Sequence, residues 1–171
     1  ISTAPIQSFI QDCLDTTFKK AIAVTSSQGG YNHPPKPYFT FYFTKIPYYY
    51  DKEPLPLPTL SITEEEISEY VLNNIDFCLK DLQQFGKNVT IGPNKIKTTI
   101  SPAKTTLDMH LPVTIESKKS KVEINEFSTT KTVQLGQAIA LANDIIEEQN
   151  SFPNDIVTST LVDLGEEHDV Y

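Results

Sequence analysis

Two long segments of this chain have apolar residues that recur every three or four positions, and each segment carries one of the chain's two cysteines. This spacing predicts two amphipathic helices, over residues 5–25 and 61–85. The apolar face of the first comprises Ile6, Phe9, Ile10, Cys13, Leu14, Phe18, Ala21 and Ile22. The apolar face of the second comprises Ile67, Tyr70, Val71, Asn74, Ile75, Cys78, Leu79 and Leu82. Both faces need to be buried, so the two helices are expected to share one core.

The positions of Cys13 and Cys78 on these two core-facing surfaces favour a disulfide between them. Such a bridge would close a loop of about 66 residues and stabilise the fold by roughly 4 kcal/mol. Two free buried thiols, which behave as small hydrophobic residues, are the alternative. A disulfide would indicate an oxidising compartment. Two cysteines alone do not complete a zinc site, and the chain has no Cys-x-x-Cys redox motif.

The segment between the two helices, residues 31–60, holds six of the eight tyrosines and seven of the twelve prolines. The spacing of the prolines excludes a regular helix there. Phe39, Phe41 and Phe43 alternate with polar or tyrosine positions, which predicts a short strand with an aromatic face. We therefore expect residues 31–60 to form an extended aromatic and proline-rich arm.

Residues 88–127 are expected to form β-strands. Segments 89–91 and 95–100 flank Gly92-Pro93-Asn94, which is typical of a hairpin turn. The next strand alternates strictly between apolar and polar residues, so one of its faces should be buried. Pro112 within it cannot donate a hydrogen bond, which predicts either an edge strand or a bend.

A third helix is expected over residues 130–149, where apolar residues again recur on one side. A C-terminal extension, residues 152–171, follows it, and its segment 152–164 favours a short strand. Ser61 or Thr63, each followed three positions later by glutamate, predicts a capping box at the start of the second helix.

These elements predict one α+β domain over residues 1–171. Its three amphipathic helices would pack on one face of a mostly antiparallel sheet, with the arm as an addition. The chain has no run of 18 apolar residues, so no spanning helix is expected. It begins at Ile1 rather than at methionine, which suggests a processed or trimmed chain. Membrane attachment is expected only through a missing N-terminal anchor.

The charge of the chain argues against nucleic-acid binding. All 14 basic residues are lysine, the chain has 22 acidic residues, and its formal net charge is −8. Such a chain lacks both the positive field that phosphates require and the arginine fork that reads guanine. Seven lysines lie in residues 91–131, where we expect a solvated sheet face balanced by the acidic final helix.

No arrangement of residues indicates catalysis. His33, His110 and His168 share no motif with a second ligand or a nucleophile, so we expect them at the surface. No catalytic residue, metal ligand or cofactor is predicted. The rival hypothesis is a surface hydrolase, in which acids of residues 132–171 meet His33 or His110 across a cleft.

The tyrosines of the arm are the candidate binding residues. Their rings and hydroxyl groups, in an extended backbone, suit a protein partner, a glycan or a second subunit. The alternative is that these rings cover the core, and an exposed patch above about 400 Å² would decide for binding. Asn88-Val89-Thr90 is a glycosylation sequon, with Asn88 as the candidate acceptor. The candidate binding tyrosines are Tyr38, Tyr42, Tyr48, Tyr49 and Tyr50.

A set of short motifs resembles a family of uncharacterised membrane-anchored proteins of small-celled, DPANN-type archaea. The motifs are Cys13-Leu14, Gln28-Gly29-Gly30-Tyr31, Pro47-Tyr48-Tyr49-Tyr50, Pro58, Ile67-x-x-Tyr70-Val71-x-x-Asn74, Cys78-Leu79 and Ala138-x-x-x-Ala142. The resemblance spans about residues 5–164. Family members begin with a short cytoplasmic stretch and one apolar helix, which this chain lacks. The resemblance therefore implies an extracytoplasmic domain with Cys13 and Cys78 bridged, and it carries over no activity.

Together these observations favour a non-enzymatic cell-envelope domain for adhesion, surface assembly or ligand binding at the cell surface. A protein or a glycan is the expected partner. Self-association through strand or arm exchange is an alternative.

Overall fold

A computed structural model describes residues 3–51, 53–85, 88–116, 120–154 and 158–168. The first and second predicted helices and the extended arm between them are present. The helices are α1 (Ala4–Ser27), α2 (Leu60–Leu79), α3 (Leu135–Ser151) and α4 (Thr158–Glu167), and a 3₁₀ helix (Lys80–Phe85) continues α2. The strands are β1 (Tyr38–Phe41), β2 (Thr44–Pro47), β3 (Tyr50–Asp51), β4 (Glu53–Pro54), β5 (Val89–Ile91), β6 (Lys95–Ser101), β7 (Lys104–Glu116) and β8 (Lys121–Lys131). The α+β class is confirmed.

The main sheet is built around β7, which pairs antiparallel with β5, β6 and β8. Because β8 follows β7 over almost its whole length, β5 and β6 share the opposite edge. Val89 pairs with Ile115 and Lys95 with His110, so β5 and β6 run one after the other in the same direction. The predicted hairpin between these two segments is wrong. Gly92-Pro93-Asn94 instead interrupts a single edge, where the Gly92 N–H donates to the Pro112 carbonyl at 2.7 Å.

Pro112 lies in the central strand β7, so the prediction of an edge strand is wrong, while an irregularity at the proline is confirmed. The register with β8 shifts between His110 and Val113, which leaves the proline outside a regular ladder. A central strand tolerates Pro112 because a bulge removes the need for its missing N–H. The alternation along β7 is confirmed, and its buried side chains are Thr105, Leu107, Met109, Leu111, Val113 and Ile115.

Helices α1 and α2 cover one face of this sheet, with α1 lying over β8 and α2 over β6. Cys13 and Cys78 form a disulfide with Cα atoms 5.8 Å apart, which confirms the predicted bridge. Gly30 at the end of α1 lies against Thr63 at the start of α2, so the two helices are antiparallel. The core between helices and sheet contains fully buried side chains, among them Phe18, Ile10, Leu14, Ile67, Ile75, Leu107 and Met109.

The start of α2 differs from the predicted capping box. Thr59 is the N-cap, and its hydroxyl accepts a hydrogen bond from the Ile62 N–H at 3.2 Å. The glutamate side chains are therefore free for other partners. Glu64 accepts the Ile100 N–H of β6 at 2.7 Å, and the Ser68 hydroxyl accepts the Thr98 N–H at 3.0 Å. Side chains of α2 thus accept hydrogen bonds from two backbone N–H groups on the outer edge of β6. These groups would otherwise be available to pair with another strand.

The last two helices complete the described part of the chain. In α3, Leu135 and Ile139 reach the core, and Gly136 lies against the backbone at Ser101. The strand predicted in residues 152–164 is wrong, because Thr158–Glu167 is helical and packs on α3. Of the extension 152–171, residues 155–157 and 169–171 lie outside the described part. No described helix is long and apolar enough to cross a membrane.

Candidate binding surface

The arm leaves the domain beside the C-terminal end of α1 and is fixed there by backbone contacts. Pro47 is buried, and the Tyr49 hydroxyl donates to the Gly29 carbonyl at 3.0 Å. Gly29 and Gly30 both have positive φ, so they can form this tight exit. Burial, with a smaller contribution from the neighbouring Tyr31, raises the pKa of Tyr49 to about 12. Tyr49 is therefore a neutral anchor rather than a free contact residue.

A carboxylate of α2 holds the start of the arm from the other side. Glu66 accepts hydrogen bonds from the backbone N–H groups of Asn32 at 2.8 Å and His33 at 2.9 Å. Gln28 adds a bridge, since its amide donates to the Asn32 carbonyl and its side-chain oxygen accepts the Lys45 N–H. The arm is thus attached at both ends to the helical layer.

Beyond these attachments the arm forms a two-stranded hairpin, Tyr38–Pro47, which we call the aromatic hairpin. Phe39 pairs with Ile46 and Phe41 with Thr44, so Phe39, Phe41 and Ile46 share one face. The opposite face carries Lys45, whose ammonium group lies 5.0 Å from the centre of the Tyr38 ring. Four residues of strand raise the tip about 13 Å above the base.

The apolar face and tip of the aromatic hairpin are not covered by the rest of the described chain. Phe39 and Phe41 are 51% and 57% exposed, Tyr42 is 82% exposed and Phe43 is 99% exposed. With about 200 Å² for one aromatic side chain, this is roughly 600 Å² of aromatic surface. The rings of Phe39, Phe41 and Tyr42 are contiguous, because the Phe41 centroid lies 6.5 Å from that of Phe39 and 4.8 Å from that of Tyr42. At the same scale Phe39, Phe41 and Tyr42 expose about 400 Å², which is comparable with the largest exposed patch of an ordinary monomer, so the role of these rings in binding stays a prediction.

The turn at the tip is made by Tyr42 and Phe43, and Tyr42 has φ +53°. Two-residue hairpin turns need positive φ, which glycine and asparagine adopt most easily. A tyrosine in this region costs roughly 1–2 kcal/mol relative to its usual conformations. Tyr42 thus places a large aromatic side chain where glycine or asparagine would relieve strain.

The five candidate tyrosines divide by position. Tyr42 is at the tip, and Tyr48 and Tyr50 are about half exposed at the base. Tyr38 is partly buried under Lys45, and Tyr49 is an anchor. The sequence predicted the aromatic face, but its candidate binding residues did not include Phe41 and Phe43, which are 57% and 99% exposed.

The described part of the structure brings His33 together with Glu66 and Glu69, which the sequence did not connect. Their potential ligand atoms lie within 4.8 Å of one another, and His33 Nδ1 is 3.9 Å from Glu69. Glu66 and Glu69 share a face of α2 because they are three positions apart, whereas His33 reaches them through the arm. One Glu66 oxygen already accepts two backbone hydrogen bonds, so the cluster serves first to fix the arm.

The other two histidines also pair with carboxylates. His110 bonds to Glu126 across β7 and β8, and His168 bonds to Asp144 at 2.6 Å between α4 and α3. The hydrolase hypothesis requires acids from residues 132–171 beside His33 or His110. In the described residues, the hydrogen bonds and ion pairs connect neither of these histidines to that part of the chain.

Of the seven lysines in residues 91–131, Lys118 and Lys119 lie outside the described residues, and two others form ion pairs. Lys121 pairs with Glu116 at 3.2 Å, and Lys131 pairs with Asp15 of α1. The hydrogen bond from Lys131 is the main reason that the pKa of Asp15 lies below its usual value. These two lysines are thus balanced by acids of a neighbouring strand and of α1.

Asn88 is exposed at the start of β5, and its carbonyl accepts the Glu116 N–H at 2.9 Å. Glycosylation of Asn88 stays a prediction.

No family model matches this chain, and no curated protein or solved structure is significantly similar to it. The disulfide is typical of an oxidising, extracytoplasmic setting.

Proposed function

We propose that this chain is a non-enzymatic binding domain of a cell envelope and that the aromatic hairpin is its contact surface. The observation that carries the proposal is the contiguous exposed surface of Phe39, Phe41 and Tyr42, with the exposed Phe43 beside it, on a hairpin with a fixed base. Aromatic side chains dominate binding energies because each ring buries a large area with few rotatable bonds. A location at the cell surface agrees with the disulfide and with the family resemblance.

The hairpin suits a protein or glycan partner better than a bare lipid surface. Its two faces differ, since Phe39, Phe41 and Ile46 lie on one face while Thr40 and Lys45 lie on the other. A two-faced ribbon can lie along a partner with its apolar side down. The formal charge of −8 adds repulsion from an anionic membrane.

The test compares binding of fluorescently labelled domain to a cell-envelope fraction from the organism that produces it, by co-sedimentation over a concentration series. We expect saturable binding, and we expect Phe41→Ser with Phe43→Ser to weaken it at least about tenfold. Both side chains are more than half exposed, so the double variant should retain its circular dichroism spectrum and unfolding midpoint. Phe77→Ser is the matched control, because Phe77 is 70% exposed but lies on α2.

Vesicles made from the extracted lipids separate the possible partners. Binding to the envelope fraction but not to the vesicles supports a protein or glycan partner. Equal loss of binding in the hairpin and Phe77 variants, or no saturable binding at all, would refute the proposal.

A further inference from the structure

One imidazole and two carboxylates converge where the arm begins, because His33 faces Glu66 and Glu69 of α2. One possible ligand atom of each residue lies within 4.8 Å of the other two, and His33 Nδ1 is 3.9 Å from a Glu69 carboxylate oxygen. Within the described residues, neither glutamate forms an ion pair with a lysine. Like charges about one turn apart on a helix repel each other, so a cation between them would be favourable.

The histidine distinguishes this cluster from an ordinary acidic surface. The side-chain amide nitrogen of Asn32 lies 3.2 Å from His33 Nδ1. An amide nitrogen only donates, so Nδ1 accepts this hydrogen bond and the ring proton is on Nε2. The neutral imidazole, with a lone pair on one ring nitrogen, is the form that binds metal ions. That lone pair lies on the edge of the ring that approaches Glu69.

Glu66 can hold the arm and a metal ion at the same time. Its Oε2 atom accepts the backbone N–H groups of Asn32 and His33 at 2.8 and 2.9 Å, which fixes His33 beside α2. Both hydrogen bonds end on this one oxygen, so Oε1 is available as a ligand. Glu69 lies three positions further along the same face of α2. The backbone contacts thus position all three ligands before any ion binds.

We propose that His33, Glu66 and Glu69 bind one Zn²⁺ ion, which joins the start of the arm to α2. The ligands are His33 Nδ1, Glu66 Oε1 and one oxygen of Glu69, and a water molecule completes the four positions that Zn²⁺ prefers. The two carboxylates balance the charge of the ion. The inference goes beyond the proposed function and does not depend on it, because it concerns the base of the arm and not the rings of the aromatic hairpin.

The side chains need only a small movement to reach the ion. Two ligand atoms that each lie about 2.1 Å from a tetrahedral Zn²⁺ are about 3.4 Å apart. The separation between His33 Nδ1 and Glu69 is 3.9 Å, and these two side chains are 68% and 53% exposed. Rotation of exposed side chains can close this difference without moving the core. The hydrogen bond from Asn32 to Nδ1 would be given up, because the ion takes the same lone pair.

The ligand set indicates zinc rather than magnesium or calcium. Mg²⁺ and Ca²⁺ prefer oxygen ligands, and Ca²⁺ takes six to eight of them. An imidazole nitrogen suits Zn²⁺ and similar transition metals. We therefore expect that an excess of Mg²⁺ or Ca²⁺ does not displace bound Zn²⁺.

Isothermal titration calorimetry with zinc chloride tests the site on the purified chain after treatment with a chelator. We expect one saturable site, which His33→Ala and Glu69→Gln each weaken at least about tenfold because each removes a ligand. Both side chains are more than half exposed, so these variants should keep the circular dichroism spectrum of the wild-type chain. Glu65→Gln is the matched control, because it removes the same charge from an exposed neighbouring position outside the cluster. His110→Ala is the control for another histidine that pairs with a carboxylate. Both controls should bind Zn²⁺ as the wild-type chain does.

Nitrogen-15 NMR of the histidine rings identifies the ligand atom without any substitution. Substoichiometric Zn²⁺ should shift the Nδ1 resonance of His33 and leave its Nε2 protonated. The ring resonances of His110 and His168 should not move at the same zinc concentration, because each of these histidines pairs with a single carboxylate.

Four outcomes would overturn the inference. They are the absence of saturable Zn²⁺ binding, coordination through Nε2 or first at another histidine, displacement of Zn²⁺ by Mg²⁺ or Ca²⁺, and an equal loss of affinity in Glu65→Gln and Glu69→Gln. The last result would show a general attraction to negative charge. Binding of the envelope fraction through Phe41 and Phe43 is measured separately, so it would stand in each of these cases.

Discussion

The disulfide provides the most quantitative prediction about stability. Cys13 and Cys78 are 65 positions apart in the sequence and join the middle of α1 to the C-terminal end of α2. Without the bridge, the unfolded chain regains the freedom of a loop of about 66 residues, which corresponds to about 4 kcal/mol at 25 °C in the chain-entropy treatment. We expect Cys13→Ala with Cys78→Ala to lower the free energy of unfolding by about this amount. The midpoint of thermal unfolding should fall by roughly 8–16 °C.

The assay is urea unfolding at equilibrium, followed by far-ultraviolet circular dichroism, with and without reductant. Reductant should destabilise the wild-type chain and leave the double variant unchanged. The reduced wild-type chain and the double variant should then have similar stabilities, because they differ only by two sulfur atoms. A loss below about 1 kcal/mol would refute the reasoning. It would mean that the unfolded ensemble already keeps α1 and α2 together.

Three further substitutions test particular contacts. Glu64→Ala should lower the unfolding free energy by about 1–3 kcal/mol in urea titrations, because the Ile100 N–H loses its acceptor. Gly136→Ala should lower the thermal midpoint, since an added Cβ would lie 2.8 Å from the Ser101 carbonyl oxygen; a rise would show that helix propensity dominates there. Tyr49→Phe should remove about 1 kcal/mol at neutral pH with its hydrogen bond to the backbone. Between pH 10 and 12 the wild-type chain should lose stability more steeply than this variant, because the phenol ionises at about pH 10 when unfolded and near 12 when folded.

The helices could be predicted because their signal is local and repeated. In α1, burial of Ile6, Ile10, Leu14 and Phe18 follows directly from the spacing of apolar residues along one face. The disulfide also followed from that spacing, since two cysteines on buried faces that share one core are expected to lie close together. These predictions needed only the period of the sequence and the assumption of one core.

Three features could not be predicted for a different reason, because each depends on what lies across from the residue in space. Gly92-Pro93-Asn94 is equally suited to a tight turn and to a break in a straight edge, and only the Pro112 position on β7 selects the second. Likewise, alternation around Phe41 indicates a strand but does not tell whether anything covers it. The cluster of His33 and Glu66 was invisible for the same reason, since the arm alone brings them together.

The carboxylate of Glu66 has a consequence for how the hairpin recognises a partner. By accepting both the Asn32 and the His33 N–H groups, it fixes the direction in which the arm departs from the end of α1. A free tether of this length would sample many orientations. Association would then have to immobilise it, at an entropic cost of about 0.5–1.5 kcal/mol for each ordered side chain in addition to the cost of ordering the backbone. A hairpin that is already oriented avoids most of that loss. Its aromatic rings can then act as a preorganised contact surface. The affinity for a partner then depends on how well the shapes of the two surfaces match, and the lifetime of the complex is set by the dissociation rate of the rings.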